Sequence, residues 1–185
     1  MTLASEHGTS RPQDGDDRSV VVRPAETSEL DRAGQVVVDA YDTAGYLTLA
    51  DGTTDEYYAG LLRDAPARAR TSEVLVAVIG SEVVGSVTWC GAGSPMRELA
   101  TRPDQGEFRM LGVDPSAGGR GVASAMVRWC LERAEADGLA EVVISSLPEM
   151  LPAHAVYRRF GFDRRPDLDW SPIDGVDLVG FSRAI

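Results

Sequence analysis

Gly118, Gly119 and Gly121 stand inside the run Leu111–Ala134, LGVDPSAGGRGVASAMVRWCLERA, between an extended apolar stretch and a strongly patterned helix. Glycine lets a backbone turn sharply and brings its N–H groups close to a ligand. A helix beginning at such a turn adds unpaired donors and the positive end of its dipole. This is chemistry for anions, and it makes Gly118, Gly119, Arg120, Gly121, Val122, Ala123 and Ser124 a candidate phosphate seat. Two familiar nucleotide patterns do not fit. The P-loop requires a lysine followed by Ser or Thr, and the chain contains no lysine. The dinucleotide fingerprint requires G-x-G-x-x-G in a first strand-to-helix unit, whereas Gly119-Arg120-Gly121 is followed by Val122, Ala123 and Ser124 and is preceded by a hairpin pattern.

The elements around this turn follow from pattern. Ser19 to Arg23 is a β-branched run stopped by Pro24, and Thr27 reads as the N-cap of a helix carrying Leu30, Ala33, Val37, Ala40 and Tyr41. A second helix is expected from Thr54 to about Arg70, through Tyr57, Tyr58, Leu61 and Leu62. The tyrosines, with Tyr41 and Tyr46, either line a substrate mouth or cover the sheet. Glu73–Ile79 and Val83–Cys90, joined by Gly80-Ser81-Glu82, read as an antiparallel hairpin. Gly91–Asp104 is a loop, a lid or a plain surface connection. Glu107–Val113 is the next strand, and alternation places Glu107, Arg109, Leu111 and Val113 on one face. The helix after the glycine turn carries Ala123, Val127, Cys130, Leu131 and Ala134 as one apolar stripe and closes at Gly138. Glu141–Ser145 is a strand, Met150–Phe160 a helix ended by Gly161, and Val176–Phe181 a final strand. The order implies an α/β fold: a mixed, mostly antiparallel sheet flanked by helices, with a central parallel β-α-β unit.

Composition narrows the partners. The formal charge of −11 argues against a nucleic-acid surface and for neutral or cationic small partners. No apolar run is long enough to cross a bilayer, and no basic-then-apolar leader is present, so a cytoplasmic setting is expected. Cys90 and Cys130 are too few and too poorly spaced for a disulfide framework or a zinc site, and no metal is expected. Asparagine is absent along with lysine, a coding bias rather than a functional signal. Residues 1–17 are polar and glycine-rich and read as a disordered tail, with one domain over residues 18–185.

Leu111-Gly112-Val113-Asp114-Pro115 followed by Gly118-Gly119-Arg120-Gly121-Val122-Ala123 resembles the central motif of the GNAT superfamily, the acyl-CoA-dependent N-acyltransferases, which reads L-x-V-x-P and then Q/R-x-x-G-x-G/A. Val156-Tyr157-Arg158-Arg159-Phe160-Gly161-Phe162 resembles a second block of that family, a helix tyrosine before G-F. The two blocks come in order with one strand between them, and the likeness in element order runs from about Ser19 to the C-terminus. One departure stands out: Gly118 occupies the position usually filled by Gln or Arg.

The resemblance implies a GNAT-like fold and an acetyl-CoA-dependent N-acetyltransferase that passes the acetyl group directly to a small-molecule amine. Met110, Leu111, Gly112 and Val113 would hold the pantetheine arm through backbone groups, like an added strand. Gly118–Ser124 would seat the pyrophosphate, and an N–H near Leu111 or Gly112 would serve as oxyanion donor. Tyr157 is the candidate acid, its alternative being a packing tyrosine. Glu107 is the candidate base, directly or through a water, its alternative being a solvated strand-end charge. His154, one turn before Tyr157, is a further candidate base, its alternative being a surface or helix-packing histidine. Asp167 or Asp169, in the charged segment around Trp170, could attract a cationic amine. Acetylation of protein N-termini or lysines, and a non-catalytic acyl-CoA sensor, are the competing functions; a homodimer is allowed.

Overall fold

The computed structural model describes residues 19–49 and 51–185; the tail expected over residues 1–17 lies outside them. Strand β1 (Val20–Pro24) leads through a short 3-10 turn, Thr27–Glu29, into helix α1 (Leu30–Thr43). Thr27 is not the N-cap: Glu26 and Glu29 form a reciprocal capping box one residue earlier, and Glu29 also pairs with Arg23 at 2.7 Å. The single helix expected over residues 54–70 is two, α2 (Glu56–Arg63) and α3 (Ala65–Arg68). Asp64 breaks it, because its side chain caps the N–H of Ala67 at 2.8 Å and Pro66 has no N–H to continue the ladder.

Strands β2 (Glu73–Ile79) and β3 (Glu82–Cys90) form the hairpin, and β4 (Gln105–Val113) pairs antiparallel to β3. Helix α4 (Val122–Ala136) then crosses to β5 (Glu141–Ser146), which lies parallel to β4. Helix α5 (Leu151–Arg159), the short strands β6 (Asp163–Arg164) and β7 (Trp170–Ile173), and the long β8 (Val176–Ala184) complete the chain. The sheet order is β1-β2-β3-β4-β5-β8-β6, with β7 also on β8, and β4–β5 is its parallel pair. This is the expected mixed, mostly antiparallel sheet with a central β-α-β unit.

Helices α4 and α5 cover one face, where Phe108, Val122, Met126, Cys130, Tyr157, Phe162 and Phe181 share a core. Helices α1 to α3 cover the other, through Ala33, Val36, Val37, Leu62 and Ala65. Gly112 fixes how closely α1 approaches β4: a Cβ there would stand 2.7 Å from the Cα of Val37.

Candidate functional site

β4 is irregular where the site is expected. Thr88 pairs with Arg109 and Ser86 with Gly112, so Met110 and Leu111 together face Val87 as a β-bulge, and Met110 takes φ +53°. The bulge resets the alternation. Phe108, Leu111 and Val113 pack toward the α4 core, whereas Met110 packs with Val37 and Leu62 beneath α1 and α2. The expectation that Glu107, Arg109, Leu111 and Val113 share a face is therefore incorrect for Leu111 and Val113.

The parallel β4–β5 pairing ends at Glu107 and Val143, although β5 continues to Ser146 on its β8 side. Beyond that point the two strands part, leaving the β4 edge at Arg109–Val113 without a β5 partner. Such an edge offers unpaired backbone groups to an extended ligand arm. At its far end Asp114 caps a 3-10 turn, Pro115–Ala117, and the chain enters the glycine turn. Gly119 and Gly121 adopt φ of +75° and +79°, and open space surrounds the position of a Cβ on either. Gly121 is the N-cap of α4 without a side-chain cap, and the N–H groups of Val122, Ala123 and Ser124 have no backbone acceptor among the described residues. Arg159 of α5 reaches across to the Ser124 hydroxyl. This arrangement suits a pyrophosphate, and the missing side chain at Gly118 leaves those donors intact.

Tyr157 lies in α5 with its ring edge-on to Phe108 and Phe181, 6.0 and 5.7 Å away. Burial holds its hydroxyl well above the usual phenol range, so it stays protonated. The hydroxyl makes no hydrogen bond among the described residues. His154 is not a surface residue. It is buried against Phe181, its Nε2 is 3.2 Å from Ser146 Oγ, and burial lowers its pKa.

Glu107 is fully buried, which overturns its reading as a solvated strand-end charge. Its Oε2 accepts the N–H groups of Glu98, Leu99 and Ala100 at 2.9, 2.9 and 3.0 Å, while Oε1 has no hydrogen-bond partner among the described residues and lies 3.9 Å from Arg109 Nε. Desolvation raises its pKa, with the backbone donors and Arg109 opposing. Since Phe108 faces Tyr157, Glu107 addresses the opposite face of the sheet. The two catalytic candidates thus flank the strand from either side. Asp167 and Asp169 are already paired with Arg165 at 2.6 Å and Arg164 at 2.5 Å, so neither is a free anion for an amine. Trp170 packs with Leu168 against Leu99, Ala100 and Val143, beside the loop that Glu107 holds. A surface cleft of about 600 Å³ between Ser72, Trp89, Arg133 and Asp137 lies at the other end of β3 and β4 from the glycine turn. The thiol of Cys90, near Glu107, is pushed up to about 11 by burial.

A model of the acetyltransferase (GNAT) family matches residues 34–162, well over half of the chain. The chain belongs to the GNAT family. This GNAT chain is 33% identical over 135 residues to a mycothiol acetyltransferase from Cellulomonas flavigena; the match takes in 65% of the chain and 39% of that relative's length. Among solved structures, a GNAT-family acetyltransferase from Staphylococcus aureus Mu50 superposes with TM-score 0.67 at 9% identity, over 90% of this chain and 99% of the other. The PaiA N-acetyltransferase from Thermoplasma acidophilum in complex with coenzyme A superposes with TM-score 0.65 at 14% identity, over 90% and 99%. Among the described residues no helix is long and apolar enough to cross a membrane, and no group of His, Cys, Asp or Glu could hold a metal ion.

Sequence reasoning missed Arg68, buried beneath α2, and Arg159, the last residue of α5, which reaches the first turn of α4. Arg68 gives no signal in the sequence. Arg159, beside the G-F block, carries only its proximity to Tyr157.

Proposed function

We propose that the domain from residue 18 onward is an acetyl-CoA-dependent N-acetyltransferase acting in the cytoplasm on the amine of a small molecule, by direct transfer. The observation that carries this reading is the parting of β4 from β5 after Glu107, next to the bulge at Met110 and leading into the glycine turn of α4. When bound, acetyl-CoA supplies an activated acetyl thioester. Met110, Leu111, Gly112 and Val113 would hold its pantetheine arm on the free β4 edge. Gly118, Gly119, Arg120, Gly121, Val122, Ala123 and Ser124 would hold its pyrophosphate, with Arg159 adding charge. The complex of the PaiA enzyme with coenzyme A supports the donor, and the mycothiol acetyltransferase relative supports a small-molecule acceptor.

Tyr157 keeps its proton at neutral pH and can deliver it to a leaving thiolate, whose parent thiol has a pKa of about 8.5. Glu107 retains one unpartnered oxygen, Oε1, able to draw a proton from the incoming amine through a water. A backbone N–H at the Met110–Gly112 bulge would stabilise developing negative charge on the carbonyl oxygen. The raised pKa of Cys90 leaves no thiolate nucleophile there, in keeping with direct transfer.

The test is calorimetric titration with coenzyme A, followed by thiol release from acetyl-CoA across a broad amine panel. Micromolar binding and turnover of at least one amine are expected, and Gly121→Glu should abolish binding through bulk and charge at the seat. Binding without turnover of any amine or peptide would replace this reading with that of an acyl-CoA sensor.

A further inference from the structure

Arg68 is 4% exposed, and its hydrogen bonds all go to neutral acceptors. Nε donates to Thr88 Oγ1 at 3.1 Å, and Nη1 donates to the carbonyls of Leu61 and Leu62 at 2.7 and 2.8 Å. Nη2 is buried and has no hydrogen-bond partner among the described residues. The carboxylate whose charge it feels most is Asp64, and Asp64 already caps the N–H of Ala67. The C-terminal carbonyls of α2 favour a cation here, but a buried guanidinium with an idle N–H pair is costly unless an anion completes it.

A second guanidinium stands on the same face of the sheet. Thr88 is the register partner of Arg109 across β3 and β4, so the two side chains stand on one face of the sheet. Arg68 reaches Thr88 from α3 above. Arg109 Nη1 is held by Met96 O at 2.8 Å and Glu98 Oε1 at 3.1 Å, and its Nη2 makes no hydrogen bond among the described residues. Tyr41 and Tyr58, in edge contact at 6.2 Å, close over this face, and both feel the charge of Arg109; Tyr41 also feels Tyr157. Neither hydroxyl has a hydrogen-bond partner among the described residues. Of the carboxylates nearby, Glu98 pairs with Arg109 at 3.1 Å, and Glu107 holds the loop N–H groups through Oε2 while its Oε1 lies 3.9 Å from Arg109 Nε. Thus a chain of net charge −11 places Arg68, which has no carboxylate within ion-pair distance among the described residues, on one face with Arg109 and two phenols beside the proposed acyl site.

We infer that Arg68 and Arg109 form a carboxylate-binding subsite, and that the acceptor is a small amino-acid-like molecule carrying a carboxylate close to its amine. The inference rests on the acetyltransfer reading above and narrows its substrate class. Arg109 immediately precedes the bulge, and a strand advances about 3.3 Å per residue, so a carboxylate held there puts an amine two or three bonds away at the free β4 edge. Tyr41 and Tyr58 supply further donors to the same oxygens and a wall for the side chain.

The experiment is a matched acceptor panel, each amino acid beside its amide and its decarboxylated amine, assayed by thiol release from acetyl-CoA. The wild-type protein is expected to favour the free acid in kcat/KM by about tenfold or more. Arg68→Met and Arg109→Gln should each erase that preference, by raising KM for the acid while rates with the amide persist. Coenzyme A titration of each variant checks that it is folded, and Arg109→Gln keeps the test open should Arg68→Met fail to fold. Turnover of amines with no preference for the acid, or a preference surviving in both variants, overturns the subsite and leaves acetyltransfer standing. It would make Arg68 a cap for α2 and nothing more. Coenzyme A binding without turnover of any amine removes acetyltransfer and this inference together.

Discussion

The side chain of Glu107 accepts the backbone N–H of Leu99 at 2.9 Å, and the neighbouring N–H groups of Glu98 and Ala100 converge on the same oxygen. One carboxylate oxygen thereby fixes the loop between β3 and β4 against the sheet, and Leu99 and Ala100 are held on Val143 and Trp170. The other oxygen makes no hydrogen bond among the described residues, and in the proposed mechanism it takes up the amine proton. On that reading shape and proton transfer on the acceptor side depend on the same residue, and a conservative substitution can separate them.

Glu107→Gln retains an oxygen for the three N–H groups but cannot take up a proton. The expected result is a fall in kcat of about a hundredfold with coenzyme A affinity unchanged, read by steady-state kinetics and calorimetry. Stability carries an independent signature. Burial raises the folded-state pKa above the unfolded one, so the folded protein binds the proton longer, and ionising Glu107 costs stability as pH climbs through the carboxylate range toward the folded pKa. Thermal melts should show the glutamine variant gaining on wild type over that interval, then running parallel at higher pH. A gap independent of pH would mean that the loop donors fully offset desolvation.

Tyr157→Phe preserves the ring contacts with Phe108, Phe162 and Phe181, so folding should hold. The lost phenol should lower kcat by about a hundredfold while acetyl-CoA affinity stays within twofold. Stopped-flow binding and steady-state assays distinguish the two effects. An unchanged kcat would make Tyr157 a packing residue.

The glycine turn, the strand leading into it and the helix tyrosine were legible because each needs particular residues: Gly119 and Gly121 take positive φ, and the apolar stripe of α4 has helical spacing. The bulge at Met110 was not legible. Nothing in a run of ordinary strand formers announces that one of them takes φ +53°, and that single insertion reverses the facing of every later residue in β4. Glu107 misled for a related reason. A charged residue near a strand end is normally solvated, and its burial here depends on backbone donors from a loop whose path no local pattern specifies. Arg68 was hidden in the same way, because its environment is made by Thr88, twenty residues on, and by the carbonyl end of the preceding helix.

Gly112→Ala tests the contact between α1 and β4. The added methyl would meet the Val37 backbone at 2.7 Å and the Ala40 side chain at 3.3 Å, and a helix backbone cannot give way as a flexible side chain can. The expected loss is about 1–3 kcal/mol, several degrees in Tm by differential scanning calorimetry. Because α1 carries Tyr41 over the acceptor face, the same variant should raise the acceptor KM more than that of acetyl-CoA.

Gly118→Arg supplies the side chain with which the resembled GNAT motif, Q/R-x-x-G-x-G/A, begins. Its backbone permits this: Gly118 has φ −55° and ψ 144°, open to any residue, and a Cβ would meet only the carbonyl oxygen of Pro115, at 3.3 Å. By contrast, Gly119 and Gly121 need positive φ and cannot take the same change without strain. An arginine beside the N–H groups of Val122 to Ser124 adds a cation to the proposed anion seat, next to Arg159 on the Ser124 hydroxyl. Coenzyme A should bind three- to tenfold more tightly, of the order of one ordinary hydrogen bond, with the gain shrinking at high salt. Titrations at two ionic strengths check both parts. Unaltered affinity at low salt would place the pyrophosphate away from residue 118 and shift its recognition wholly onto the first turn of α4.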